Sequence, residues 1–260
     1  MIENKVIGKT LMKSKTVNTL LAGVLWLVLW QAAAAIIDKN IILVSPVNVA
    51  KRLGSLLFEP TFLKSVVGST QKIISGYLLG LSVGSLFAAL AARFKPVRYI
   101  LAPLCVTVKA IPVASFTILA LFLIPAKNLS VLVTFLISVP IVYSNLLAGI
   151  DNIDRELVEM ATLFKINPVR RAVYIYFSQV LPYFRTAASV SAGLSWKSGV
   201  AAELIVIVPG SIGERLYQSK VEIESADLFA WTFVVIVLSF LTEFIFCKLI
   251  DLSWKAIERV

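Results

Sequence analysis

Histidine is absent from the 260-residue chain, which removes the commonest metal ligand and the side chain best placed for acid–base work near neutral pH. Cysteine occurs twice, Cys105 within an apolar run and Cys247 near the end of another, so a disulfide framework has no support. The phosphate-cradling pattern Gly-x-x-x-x-Gly-Lys-Ser/Thr is also missing, so ATP chemistry of that kind must reside elsewhere. No Cys pair or close carboxylate constellation offers a catalytic centre, and Glu203 and Glu243 stand isolated, so an enzyme is disfavoured. Charge is scarce, at 15% of residues. It is also lopsided, with 25 Lys and Arg against 15 Asp and Glu.

What the chain has in abundance is apolar surface. Hydrophobic residues make up 58% and the mean hydropathy is +0.88, too apolar for a water-facing exterior, which points to an integral protein of the lipid bilayer. The net charge of +10 would suggest nucleic acid in a soluble domain, but here the basic residues flank apolar runs and orient them, so no nucleic-acid partner is expected. Lys5, Lys9, Lys13 and Lys15 precede the apolar run Asn18–Ile37. That run is longer than a signal peptide's apolar region, so residues 1–17 read as a basic cytoplasmic N-terminus and residues 18–260 as one transmembrane domain. Mixed charge from Asp38 to Lys64 leaves room for an outer surface helix near Val47–Leu57.

Further spans are expected at Val66–Ala92, Tyr99–Ile124, Leu129–Ile150, Pro182–Val208 and Asp227–Leu249. Gly76, Gly80, Gly84, Ala88 and Ala92 recur every four residues in the second, which lets another helix backbone approach closely, within the subunit or across a dimer. Lys109 and Pro112 interrupt the third and predict a kinked or broken helix. Pro140 predicts a kink in the fourth, and Pro209–Ala226 reads as an outer loop. Arg93, Lys95, Arg98 and the basic residues near both ends favour six spans with both termini cytoplasmic.

Between the fourth and fifth spans lies a polar interruption with two helical periods. Leu157, Met160, Ala161 and Phe164 fall at i, i+3, i+4 and i+7, opposite Arg155, Glu156 and Glu159, as in a short amphipathic helix. Val169, Ala172, Val173 and Tyr176 repeat the spacing, with Asn167 placed to cap and Pro168 at the first helical position. Two small helices joined by a break read as a docking element. Within the spans, Lys109 and the segment Trp196-Lys197 to Glu203 carry polarity that suggests function. Lys109 is read either as an anion contact or gate, or as a donor to carbonyls freed by Pro112. Lys197 and Glu203 lie six residues apart, about 240° around a helix, so they are not expected to pair. For these two the alternative is a snorkelling lysine and a glutamate in a wet vestibule.

Glu159-Met160-Ala161, a partner position six residues beyond Glu159, and Leu181-Pro182 resemble the cytoplasmic loop of binding-protein-dependent ABC importer permeases. Ser45-Pro46, Lys109-Ala110-Ile111-Pro112, Gly149-Ile150-Asp151-Asn152-Ile153-Asp154 and Val200-Ala201-Ala202-Glu203 resemble the nitrate, sulfonate and taurine branch. Lys165 stands where the family usually has Gly, and Ser178 where this branch often has the first proline of Leu-Pro-x-x-Leu-Pro. The resemblance implies an all-α polytopic permease of the bacterial inner membrane with a cytoplasmic coupling loop at residues 151–181. It implies ATP and Mg on a partner ATPase, an external binding protein that delivers substrate, and a second permease subunit, expected to be a second copy. Glu159, Met160, Ala161, Phe164, Lys165, Asn167 and Pro168 would contact the ATPase. Lys109, Pro112, Trp196, Lys197 and Glu203 would line the pathway for a small anion such as a sulfonate or nitrate. No cofactor is expected on this chain. A secondary carrier driven by an ion gradient is the alternative, though it would leave the helix pair unexplained.

Overall fold

A computed structural model describes residues 2–37 and 41–258. Those residues form α-helices, one π-helical segment and connecting turns, with no strand among them. Such closure is what a lipid environment demands, because a helix satisfies its own backbone hydrogen bonds. In chain order the helices are α1 (Ile2–Ile37), α2 (Pro46–Leu56), α3 (Pro60–Arg93), α4 (Lys95–Ala110), α5 (Val113–Leu121) and α6 (Ala126–Asp151). They continue with α7 (Arg155–Leu163), α8 (Pro168–Arg171), a π segment (Ala172–Phe177), α9 (Ser178–Val206), α10 (Ile212–Val221) and α11 (Ser225–Glu258). The expected boundary at residue 17 falls inside α1, so the basic N-terminal residues and the apolar run after them share one helix.

Contacts divide the chain into two compact units, Met1–Glu59 with Gln218–Thr232, and Pro60–Tyr217 with Phe233–Val260. In the first unit, α2 is the expected surface helix. Ser45 caps it by accepting from the Asn48 N–H at 3.3 Å, and Pro46 supplies the first turn. Arg52 on this helix donates to Glu59 and Asp227, both at 2.7 Å, and Ser219 donates to the second Asp227 oxygen at 2.6 Å. Trp30 lies against Phe229 with ring centroids 5.8 Å apart.

The second unit is built on α6, which packs against α3 on one side and α9 on the other. The small residues of α3 explain the first contact. A Cβ on Gly76 would collide with Thr134 Oγ1 and the Val131 carbonyl, and one on Gly80 with the Ser138 Cβ. On Gly84 it would come within 2.8 Å of the Val139 carbonyl and the Val142 side chain. The repeat therefore serves packing within the chain, and its last member, Ala92, is exposed while Ala91 is buried. Gly199 extends the same device to α9, where an added Cβ would lie 2.7 Å from Ile73 and 2.8 Å from Thr134.

Among the described residues, three helices have the length and hydropathy to cross a membrane: α3, α6 and, within α11, Ser225–Lys255. The pair α4 and α5, bent by 99° at its break, makes a fourth if counted together. The other two expected crossings are not among these. In α1 the described apolar stretch is Leu21–Ile37, inside the expected run Asn18–Ile37, whose residues 19 and 20 lie outside the described side chains. Helix α9 is 29 residues long, but Ser189, Ser191, Ser195, Lys197, Ser198 and Glu203 dilute its apolar character.

The break before Pro112 is where the sequence places it, and α4 ends with the Ile111 N–H on the Thr107 carbonyl at 3.2 Å. At Pro140, α6 continues without a break, and the Ser144 hydroxyl donates to the Pro140 carbonyl. The segment 209–226 is not a plain loop, since it contains α10. Ser211 accepts from the Glu214 N–H at 3.1 Å and Glu214 takes the Gly210 N–H at 2.6 Å, a variant of the capping box that Ser211 and Glu214 signal at three-residue spacing.

Packing of α3 on α6 without side chains at the contact generates a test. Gly76→Ala and Gly80→Ala are expected to cost about 1–3 kcal/mol each through overpacking. Gly193→Ala, whose Cβ would meet only Ser239 Oγ at 4.0 Å, should be neutral. Thermal stability of the detergent-solubilised protein, followed by size-exclusion chromatography, separates the two outcomes.

Candidate functional site: the loop between α6 and α9

The polar interruption is held by local hydrogen bonds at every turn. Asp154 is the N-cap of α7 and accepts from the Glu156 N–H at 2.9 Å and the Leu157 N–H at 3.4 Å. Its own N–H donates to Gln179 Oε1 at 2.8 Å, which ties the start of α7 to the base of α9. Upstream, Arg98 and Asp151 pair at 2.6 Å and join the start of α4 to the end of α6.

At its C-terminus α7 closes with the left-handed turn that glycine usually supplies. Lys165 adopts φ +50°. Its N–H donates to the Thr162 carbonyl at 3.1 Å, and the Ile166 N–H donates to the Ala161 carbonyl at 3.0 Å. This pairing is the Schellman motif, and it satisfies two carbonyls that would otherwise end the helix unpaired. A lysine in that conformation carries a cost of roughly 1–2 kcal/mol. Asn167 then caps the next helix by accepting from the Val169 N–H at 2.9 Å, with Pro168 at its first position.

The face that α7 presents differs from the expected one. Of Leu157, Met160, Ala161 and Phe164, only Ala161 is buried, at 0% exposure, with Val158 half-buried beside it. Leu157, Met160, Leu163 and Phe164 are exposed, Leu163 at 81% and Phe164 at 75%. Phe164 does not pack against its own bundle. Ile166 and Val169 continue the exposed apolar surface beyond the turn, and Glu156, Glu159 and Lys165 are exposed as well.

The second expected helix is not separate. The four residues of α8 run without interruption into the π segment and then α9. The wider π turn moves the side chains off a 3.6-residue register, so Val169, Ala172, Val173 and Tyr176 share no buried face: Val169, Ala172 and Tyr176 are exposed and Val173 is half-buried. Arg171 steadies this junction by donating to Thr162 Oγ1 at 2.9 Å and Tyr176 OH at 2.8 Å. Ser178, in the place of the branch's usual proline, donates to the Tyr174 carbonyl at 2.6 Å.

The residues expected along a pathway have separate partners. Lys109 is exposed and donates to Ser144 Oγ at 2.6 Å, rather than to carbonyls freed by Pro112. Pro112 itself begins α5 as its N-cap. Trp196 is buried and donates to Thr242 Oγ1 at 2.8 Å, whereas its neighbour Lys197 is exposed. Glu203 is fully buried, with Oε2 accepting from Ser69 Oγ at 2.6 Å and lying 3.5 Å from the Gly213 N–H. None of these hydrogen bonds joins one of the five to another, and Glu203, at 0% exposure, does not face an open vestibule.

Residues 80–251 match the family described as binding-protein-dependent transport system inner membrane component. The chain belongs to this family. It is a membrane protein of the ABC importer permease class. The matched region contains the whole loop between α6 and α9. Over 206 residues the chain is 25% identical to the nitrate import permease protein NrtB of Synechococcus elongatus, with 75% of this chain and 73% of that one covered. Over 232 residues it is 22% identical to the putative aliphatic sulfonates transport permease protein SsuC of Bacillus subtilis, covering 87% and 83%. A probable ABC transporter permease protein of Brucella melitensis is 23% identical over 194 residues, covering 73% and 77%. The fold is similar to a chain in the crystal structure of an amino acid ABC transporter with histidines, at TM-score 0.56 and 16% identity, covering 78% and 97%.

The turn at Lys165 generates a second test. Lys165→Gly is expected to relieve about 1 kcal/mol of backbone strain. Lys165→Val, with a branched Cβ at positive φ, is expected to fray the end of α7. Hydrogen exchange at the Lys165 and Ile166 amides should slow or hold in the first variant and quicken severalfold in the second.

Proposed function

We propose that this chain is the permease subunit of an ATP-driven importer and that the exposed surface of α7 seats on its ATPase. The observation that carries this reading is Leu157, Met160, Leu163 and Phe164, which stand in solvent on a helix capped by Asp154 and closed at Lys165. A short helix spends its polar caps on holding shape, and exposed leucine and phenylalanine side chains on it gain free energy only when a partner covers them. Glu159, Lys165, Asn167 and Pro168 frame that contact, and Ala161 anchors α7 to its own protein. ATP and Mg belong to the ATPase. An external binding protein delivers the solute, and a second copy of this chain completes the pathway. In this arrangement the loop and both termini are cytoplasmic, as the placement of basic residues suggests.

The solute is a small organic or inorganic anion of the sulfonate or nitrate kind. The names of the similar permeases support this class, as do exposed positive charges at Lys109 and Lys197 within expected spans. Pro112 contributes by breaking the helix beside Lys109.

Two measurements test the reading. Glu159→Lys combined with Phe164→Asp is expected to abolish recovery of the ATPase on co-purification and to lower transport-coupled hydrolysis at least tenfold. Unchanged hydrolysis, or ion-gradient-driven uptake by this chain alone, would reject ATPase docking. Lys109→Met and Lys197→Met are each expected to reduce anion uptake severalfold at normal expression. Undiminished uptake would remove those lysines from the pathway.

A further inference from the structure

Helix α9 is the part of the second unit that begins in the docking loop and ends beside a buried carboxyl. From Pro168 through the π segment to Glu203 the helical path is unbroken, about 50 Å at roughly 1.5 Å per residue. One turn before its end stands Glu203, at 0% exposure. The helix then stops at Ile207, which adopts φ +51°, and the Val208 N–H folds back to the Glu203 carbonyl at 3.1 Å.

Three elements meet at this side chain. Ser69 of α3 donates to Oε2 at 2.6 Å and at the same time accepts the Ile212 N–H at 2.9 Å. The Gly213 N–H lies 3.5 Å from the same oxygen. The carboxyl thus reaches the first two residues of α10, one amide through Ser69 and one directly, where a helix leaves N–H groups unpaired and favours negative charge. Contact is close enough to forbid a side chain: a Cβ on Gly213 would collide with the Glu203 Cβ and the Leu204 nitrogen. Gly68 on α3 sits equally near the chain entering α10, with an added Cβ only 3.0 Å from the Gly210 carbonyl.

Packing alone does not require a carboxyl there. Oε1 of Glu203 is buried without a well-formed hydrogen bond, although the Ser130 hydroxyl of α6 and Lys72 of α3 also act on this carboxyl, and such an arrangement costs free energy in a protein interior. A leucine of similar volume would avoid that cost but give up the bond from Ser69, and with it the hold on α10. We infer that Glu203 is a positioning residue of the transport cycle, a latch by which displacement of the docking loop, carried along α9, moves α10 and the adjoining end of α3 as one body. This rests on the docking of an ATPase at α7.

The latch is tested in the full-length protein, reconstituted in lipid nanodiscs with the ATPase that co-purifies with it. Hydrogen exchange is read at residues 207–217 with and without ATP plus vanadate. In the wild type the Ile212 and Gly213 amides should be protected, and ATP should change their exchange at least threefold. Glu203→Leu should raise their exchange about tenfold and abolish the ATP-linked change, while the ATPase still co-purifies and its basal hydrolysis persists. Glu203→Gln, whose amide oxygen can still accept from Ser69, should restore both readouts. Should the leucine variant not assemble, Ser69→Ala removes the bridging hydroxyl and is expected to act in the same direction. An ATP-linked change that survives in either variant overturns the latch, as does a wild type that shows none. Failure of any ATPase to co-purify with the wild type overturns the docking reading instead. Even then, unaltered Ile212 and Gly213 exchange in Glu203→Leu would reject the hydrogen-bonded hold.

Discussion

Backbone-to-backbone approach of α3 to α6 is the constraint on which the second unit depends. In a lipid environment apolar side chains gain little by leaving the solvent, so helices associate through close packing and polar contacts. Gly76, Gly80 and Gly84 leave no side chain between α3 and Thr134, Ser138 and Val142. Thr134 and Ser138 are fully buried at that contact. The Thr134 hydroxyl donates to the Ser130 carbonyl on its own helix at 2.7 Å, and Ser138 shares a hydrogen bond of 2.9 Å with Ser195 of α9. Gly199 draws α9 onto the same layer. One small-residue seam therefore sets the relation of α3, α6 and α9, and with it where α9 begins and ends.

The loop between α6 and α9 obeys a different physics. Little of it is buried, so its shape comes from caps: Asp154 and Asn167 at helix starts, the left-handed Lys165 at a helix end, and Arg171 bracing the π segment. Such local bonds hold geometry without covering apolar surface. Leu157, Met160, Leu163 and Phe164 are left outward, unlike the apolar face of a core helix.

Much of this was legible in order along the chain. Asn167 and Pro168 carry their helical roles in residue type alone, and Lys109 and Pro112 announced a broken helix. The repeat at Gly76, Gly80 and Gly84 announced a packing face. The choice between a partner within the chain and one across a dimer depended on Thr134, Ser138 and Val142, each 58 residues beyond its glycine. The π segment was not legible, because Val169 to Tyr176 has a good 3.6-residue period whose side chains the wider turn then redistributes. Helix α10 was legible but unread: Ser211 and Glu214 stand at capping-box spacing inside a segment that otherwise looks like a loop.

Local chemistry in the sequence by itself determined a membrane-embedded helical protein, the breaks between its helices and the polar element between two of them, because composition, proline placement and caps act over a few residues. Tertiary structure alone decided which apolar face of α7 is outward, that Lys165 takes glycine's conformation, and that Glu203 is a buried tie to Ser69 and α10 rather than part of an open vestibule. Each of those outcomes depends on residues distant in sequence or on the balance of several hydrogen bonds against backbone strain. Glu203 shows the difference most directly. Its position in an apolar span marked it as costly, but only the convergence of α3, α9 and α10 identified what that cost holds in place.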